Sequence, residues 1–243
     1  MRKSREKFTY AFIDEPPFGF PGKNGEVLGY DAEIAKIIAS RLGFQAFESR
    51  MVTFGELITG VQSNEWTMNT AMFVTEKRST LVSFSRPIWR LTDGILVKRG
   101  NPYGVRSYSD LVSRGEIEVG AVRGNVQLQR ALTAGFPTER LRVFESQSQI
   151  VSELIEGSID AYPGAALAHR GFIERGRFSG LEVVEIESGS GEVNANWGAF
   201  SFNKEATQLL REFNDQLSVF VGSDEHKEIG RRYGLTPSET LTS

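Results

Sequence analysis

The chain is predicted to fold as an α/β protein of two lobes. Three observations carry the prediction. Strand-like and helix-like segments alternate in two successive runs, the Gly/Ser stretch Ser188-Gly189-Ser190-Gly191 interrupts the pattern late in the chain, and an extended helical segment closes it. The 243 residues leave room for two lobes of ordinary domain size. Repeated βα alternation favours largely parallel sheets covered by helices.

The first run opens with a strand over residues 8–13. Glu15, Pro16, Pro17, Phe18 and Gly19 form a loop, because two prolines forbid both helix and central strand. Residues 21–26 are a turn. Tyr30, Ile34, Ile37, Ile38 and Leu42 share one helical face, and Gly43 fits the left-handed residue just past a helix end. A short strand covers 44–48. Thr53-Phe54-Gly55-Glu56 has capping-box spacing ahead of Leu57, Ile58 and Val61. Residues 67–73 read as a strand leading into Thr75, and 94–98 as another.

The pattern restarts after Asn101. A strand at 116–122 precedes a helix carrying Val126, Leu128 and Leu132, and a strand at 141–144 precedes a helix marked by Ile150, Leu154 and Ile155 that ends near Gly157. A strand at 159–162 is followed by a helix after Pro163, then a strand at 181–186. Beyond the Gly/Ser turn lies a strand at 197–202. Asn203 is the expected cap of a long helix with Leu209, Leu210, Phe213, Leu217 and Phe220 on one face, and a short helix covers 225–233.

Composition narrows the function. A net charge of -3 with no basic tract beyond residues 1–7 argues against a nucleic-acid partner. No apolar run reaches the roughly 18 residues of a membrane span. With no cysteine there are no disulfides and no thiolate metal sites, and His169 and His226 stand too far apart for metal-like spacing. No metal or cofactor is expected. The N-terminus lacks an apolar core, so any export signal lies outside this chain.

Thr75-Glu76-Lys77-Arg78, followed by Phe84-Ser85-Arg86-Pro87, is the most informative stretch. Thr75 can cap a helix whose free N–H groups attract an anion, and a guanidinium three residues on can grip a carboxylate. On these residues alone, an ordinary capped turn with a solvated arginine fits equally well.

In order and spacing, several pieces together resemble the bacterial extracellular solute-binding proteins of the amino-acid type, family 3. They are Pro17-Phe18, Leu28-Gly29-Tyr30-Asp31-Ala32-Glu33-Ile34-Ala35, Phe54-Gly55-Glu56-Leu57-Ile58, the two stretches just named, Val119-Gly120-Ala121-Val122-Arg123-Gly124-Asn125 and Glu156-Gly157-Ser158-Ile159-Asp160-Ala161. The resemblance covers essentially the whole chain. It implies the type II periplasmic binding-protein fold, with two α/β lobes joined by two hinge crossovers and closing on a small ligand. Residues 1–91 and 188–243 would form lobe 1, and 92–187 lobe 2.

Carried over, Arg78 would hold the ligand carboxylate. Gly124, Asn125 and Val126 would offer N–H groups to the same carboxylate, which the residues support independently: Gly permits close approach, Asn caps, and the helix dipole favours an anion. Phe54 would be an aromatic platform, and Phe18 and Glu15 would sit in a loop facing the cleft. Two positions depart from the amino-acid binders. Phe73 stands where a Ser or Thr is usual, and Ala165 where an Asp usually pairs with the α-ammonium. A buried ammonium without partners is costly, so Glu15 would have to take it. Three aromatic faces from Phe18, Phe54 and Phe73 suit a delocalised or alkylated cation. The spacing is similar to the branch that binds ectoine and hydroxyectoine, although the hydroxyl common near Asn125-Val126 is lacking. Nothing in the sequence selects Trp66, Trp89 or Trp197 for the site, and each reads as packing.

The resemblance implies a monomeric, periplasmic receptor of an ABC importer. It would deliver a zwitterionic solute or amino acid to a membrane permease and perform no chemistry. The same fold serves cyclohexadienyl/arogenate dehydratases, for which Glu15 would have to be the general acid, and the ligand-binding domains of sensors.

Overall fold

A computed structural model describes residues 5–186 and 196–241. The Ser188–Gly191 turn and the boundary expected between 187 and 188 lie outside the described residues. The chain forms two compact units, Met1–Arg90 with Ala195–Ser243, and Leu91–Asn194. It therefore passes between them twice.

In chain order the first unit contributes β1 (Arg5–Phe12), the short pair β2 (Phe20–Pro21) and β3 (Val27–Leu28), α1 (Tyr30–Arg41), β4 (Phe44–Met51) and α2 (Glu56–Gln62). β5 (Met68–Phe73), α3 (Glu76–Leu81), β6 (Ser83–Phe84) and β7 (Trp89–Leu91) follow. The second unit holds β8 (Asp93–Lys98), α4 (Tyr108–Ser113), β9 (Val119–Val122), α5 (Val126–Thr133), β10 (Leu141–Phe144), α6 (Gln147–Glu156), β11 (Ala161–Ala165), α7 (Ala166–Gly176) and β12 (Leu181–Glu185). β13 (Asn196–Phe202), α8 (Thr207–Phe220) and α9 (Asp224–Arg232) complete the first.

The main sheet of the first unit runs β4-β1-β5-β13-β6, and that of the second β10-β9-β11-β8-β12. Only three neighbouring strands in each sheet are parallel. β13 runs antiparallel to β5 and β6, and β8 antiparallel to β11 and β12. This corrects the largely parallel expectation. β8 and β13 each follow a passage from the other unit, so no βα crossover within their own sheet imposes a direction on them.

The core of the first unit is aromatic. Phe8 stacks on Phe47 at 5.9 Å and on Phe213 at 6.3 Å, and Phe213 meets Phe200 and Phe202 edge-on at 5.6 and 5.2 Å. The α8 face built of Phe213, Leu217 and Phe220 is buried as its periodicity predicts, while Leu209 and Leu210 are half-buried at its rim. The second unit packs Ile95, Val97, Leu111, Val119 and Phe136 between its sheet and helices.

Four local readings change. Asn203 does not cap α8, whose N-cap is Ala206. Instead its amide nitrogen donates to the carbonyls of Val61 (3.3 Å) and Gln62 (2.8 Å) and so closes the end of α2, while its oxygen accepts from Glu205 N. Thr53-Glu56 is half a capping box: both Thr53 donors go to the Glu56 carboxylate at 2.7 Å, and Gly55 is the N-cap. The reciprocal box is at Ser146 and Gln149. α5 buries Gln127 and Ala131, with Leu128 and Leu132 only half-buried, because Gln127 is drawn inward to a buried carboxylate. Pro163 lies inside β11 instead of ending it. Its neighbour there is Ile95 of β8, and the register with β9 runs only at Ala161, so the missing N–H leaves no gap between two ladders.

Candidate binding site

The loop after β1 folds back tightly. Glu15 N donates to Gly19 O (2.8 Å) and Phe18 N to Glu15 O (2.9 Å). The loop is docked on the start of α1, where Tyr30 N donates to Pro17 O (2.8 Å) and Asp31 N to Phe18 O (3.0 Å). Gly29, at φ 124, makes that docking possible, since a Cβ there would collide with the Phe18 carbonyl. Phe18 is buried and Glu15 half-buried.

Arg78 enters from α3. Thr75 caps that helix as predicted, its hydroxyl accepting from Arg78 N at 3.2 Å. The side chain is only 6% exposed, an unusual place for an arginine. Its Nη1 donates to the Phe73 carbonyl at 2.8 Å, which fixes the plane of the guanidinium, and its Cζ lies 5.2 Å from the centre of the Phe54 ring. Burial pushes the Glu15 carboxyl up to about 7, while the positive charge of Arg78 pulls it the other way. Glu15, Phe18, Phe54, Phe73 and Arg78 thus gather in the first unit. Phe54 faces the guanidinium itself.

Two residues not singled out for the site tie this group together. The indole of Trp89 lies 5.4 Å from the Phe18 ring and meets Phe73 edge-on at 5.2 Å. Its Nε1 donates to Asp31 Oδ1 at 3.1 Å. The other oxygen of Asp31 accepts from Thr70 Oγ1 (2.9 Å) and Ala71 N (3.0 Å). Burial pushes the Asp31 carboxyl up to about 8 against the pull of these three donors, with the nearby Glu15 adding to the rise. One sequence signal could have flagged Asp31: it precedes Ile34 and Ile38 on the apolar face of α1, at helical spacing. Trp66 is buried and bonded to Asn69, whereas Trp197 is partly exposed with the Arg90 guanidinium over its ring at 5.6 Å.

In the second unit Gly124 takes φ +79, and Asn125 caps α5 as expected, its oxygen accepting from Gln127 N (2.6 Å) and Leu128 N (3.3 Å). Val126 N–H, at the first position of the helix, has no intrahelical acceptor by position, so this end carries the positive pole of the dipole. α5 is anchored from below. Gln127 Nε2 donates to Asp93 Oδ1 at 2.7 Å, and Arg130 and Tyr108 bond to Asp93 Oδ2. Ala165, the position at which an ammonium-pairing Asp is missing from the sequence, is a buried methyl at the end of β11.

Residues 9–236 match the bacterial extracellular solute-binding proteins, family 3. A probable amino-acid ABC transporter periplasmic-binding protein of Sinorhizobium fredii (strain NBRC 101917 / NGR234) is 32% identical over 97% of this chain and 79% of its own length. Among solved structures, EhuB in complex with hydroxyectoine has a TM-score of 0.88 at 26% identity, over 98% of this chain and 91% of that one. An ancestral arginine-binding protein bound to arginine has a TM-score of 0.82 at 26% identity, over 95% and 99% of the two chains.

Proposed function

Since the chain belongs to the bacterial extracellular solute-binding proteins, family 3, we propose that it is the periplasmic receptor of an ABC importer and hands a small carboxylate-bearing zwitterion to a membrane permease. Its fold is that of the type II periplasmic binding proteins. The observation that carries the ligand class is the grouping of a buried arginine, a carboxyl group and phenylalanine rings in one unit. Arg78 takes the carboxylate, Glu15 the cation, and Phe18, Phe54 and Phe73 give the cation an aromatic surrounding. Gly124, Asn125 and Val126 form the ligand-binding element of the second unit: Asn125 N donates to Val122 O at 3.2 Å and so sets the turn, and the helix start at Val126 offers the positive pole of α5 to an anion. Ala165 offers no charge for a compact ammonium, which favours an ectoine-like solute over an ordinary α-amino acid. Solved relatives bind both kinds: EhuB is seen with hydroxyectoine and the ancestral protein with arginine. The protein acts as a monomer, and the site binds and releases without turnover.

Calorimetric titration with hydroxyectoine, arginine and glutamine tests the reading. Tightest binding of hydroxyectoine is expected, and heat from none of the three would refute it.

Glu15 makes the binding pH-dependent. Its folded-state value of about 7 lies above the ordinary 4.5, so burial favours the neutral acid. That contribution to stability is complete below about 4.5 and is lost as the pH rises through about 7. A bound cation favours the carboxylate instead, so binding expels a proton below pH 7. The Kd for hydroxyectoine is therefore expected to rise by up to about tenfold per pH unit below 7. Glu15→Gln should flatten this dependence; a wild-type Kd constant from pH 8 to pH 5.5 would rule out ion pairing at Glu15.

A further inference from the structure

Asp31 bonds the indole of Trp89, and that indole in turn meets Phe18 and Phe73, two of the residues assigned to the ligand. A buried carboxyl group is a costly way to fill space, and an apolar side chain would pack there at lower cost. Asp31 is fully buried, and its acceptors serve three donors from two strands: Thr70 and Ala71 on β5, and the indole N–H of Trp89 on β7. The indole is located from every side. Asp31 holds its N–H, Gly198 lacks the Cβ that would overlap its six-membered ring, and Phe18 and Phe73 rest against it at 5.4 and 5.2 Å.

We propose that Asp31 is a positioning residue of the binding site: through its hydrogen bond to Trp89 it fixes the aromatic surface made by Phe18 and Phe73, and with it the preference for a delocalised cation. The inference rests on the zwitterion reading of the site given above. Aromatic recognition of a cation depends on ring orientation, so a side chain that touches no ligand can still set selectivity by locking the rings.

Asp31→Asn and Trp89→Phe test it. An Asn offers one carbonyl oxygen to three donors. Thr70 and Ala71 share an oxygen in the wild type, so the amide carbonyl turns towards them and its NH2 opposes the indole N–H. Trp89 then loses its anchor. In protein labelled with 5-fluorotryptophan and free of ligand, the fluorine resonance assigned to Trp89 by its loss in Trp89→Phe should shift or broaden in Asp31→Asn, with that of Trp197 unmoved. In calorimetry each variant should weaken hydroxyectoine binding by about tenfold, the scale of one lost buried hydrogen bond, with a smaller change for arginine. The double variant should bind no more weakly than Trp89→Phe alone, because both act through one contact. An unmoved Trp89 resonance, a Kd within twofold of wild type for folded Asp31→Asn, or losses that multiply in the double variant would each overturn the inference. If wild-type protein binds neither probe, the zwitterion reading fails, and the fluorine spectrum alone decides whether Asp31 orients Trp89. If Asp31→Asn does not fold, Trp89→Phe carries the test, since it leaves Asp31 bonded to Thr70 and Ala71; unchanged selectivity between hydroxyectoine and arginine then refutes the inference.

Discussion

Arg78→Ala is expected to weaken binding of a carboxylate-bearing ligand by about 2 kcal/mol or more, roughly thirtyfold in Kd, because the carboxylate loses its charged partner in a desolvated place. The effect is large for a reason visible in the fold. Arg78 is already buried and oriented by the Phe73 carbonyl at 2.8 Å, so little ordering remains to be done when the ligand arrives. Arg78→Lys keeps the charge and loses the planar fork, and it should recover only part of the affinity. Titration calorimetry on both variants, with melting curves to show that each is folded, makes the check. A Kd for Arg78→Ala within threefold of wild type would place the carboxylate elsewhere.

Asp93→Ala is expected to destabilise the second unit by about 3–5 kcal/mol, the usual cost of removing one partner from a buried charged network. Tyr108, Gln127 and Arg130 would all lose their acceptor at once. Gln127 is almost fully buried, leaving its amide no water to turn to. Asp93→Asn retains one acceptor and should cost less. Because Gln127 and Arg130 sit on α5, the same substitution should also loosen the helix start at Gly124–Val126 and weaken ligand binding in protein that still folds. Urea denaturation measures the first effect and calorimetry the second; a stability loss below about 1 kcal/mol would show that the network is peripheral to the fold.

The readings that held are local in origin. Thr75 caps α3 and Asn125 caps α5 because the acceptor and its N–H donors lie within three residues of one another. The buried faces of α1 and α8 follow apolar spacing that any 3.6-residue period exposes, and α6 buries Ile150 and Leu154 in the same way while Ile155 turns out to solvent. Readings that failed were decided by distant partners. Asn203 lies just ahead of a helix, as a cap would, but its amide is claimed by carbonyls about 140 positions earlier in the chain. α4 escaped notice because six residues with one short buried face carry too little periodicity, although Ser107 caps it in the ordinary way.

The same division runs through the candidate site. The sequence alone determined the α/β class and the family, and it named the residue types of the candidate site: an arginine behind a helix cap, a loop carboxylate and three phenylalanines. These are properties of short stretches and of their order. Only the tertiary structure decided that Phe18, Phe73 and Asp31 meet on Trp89, four residues drawn from the β1 loop, β5, α1 and β7. Burial then sets the charge of Glu15 and Asp31, since desolvation depends on what the whole chain packs around a carboxyl group and not on its neighbours in sequence.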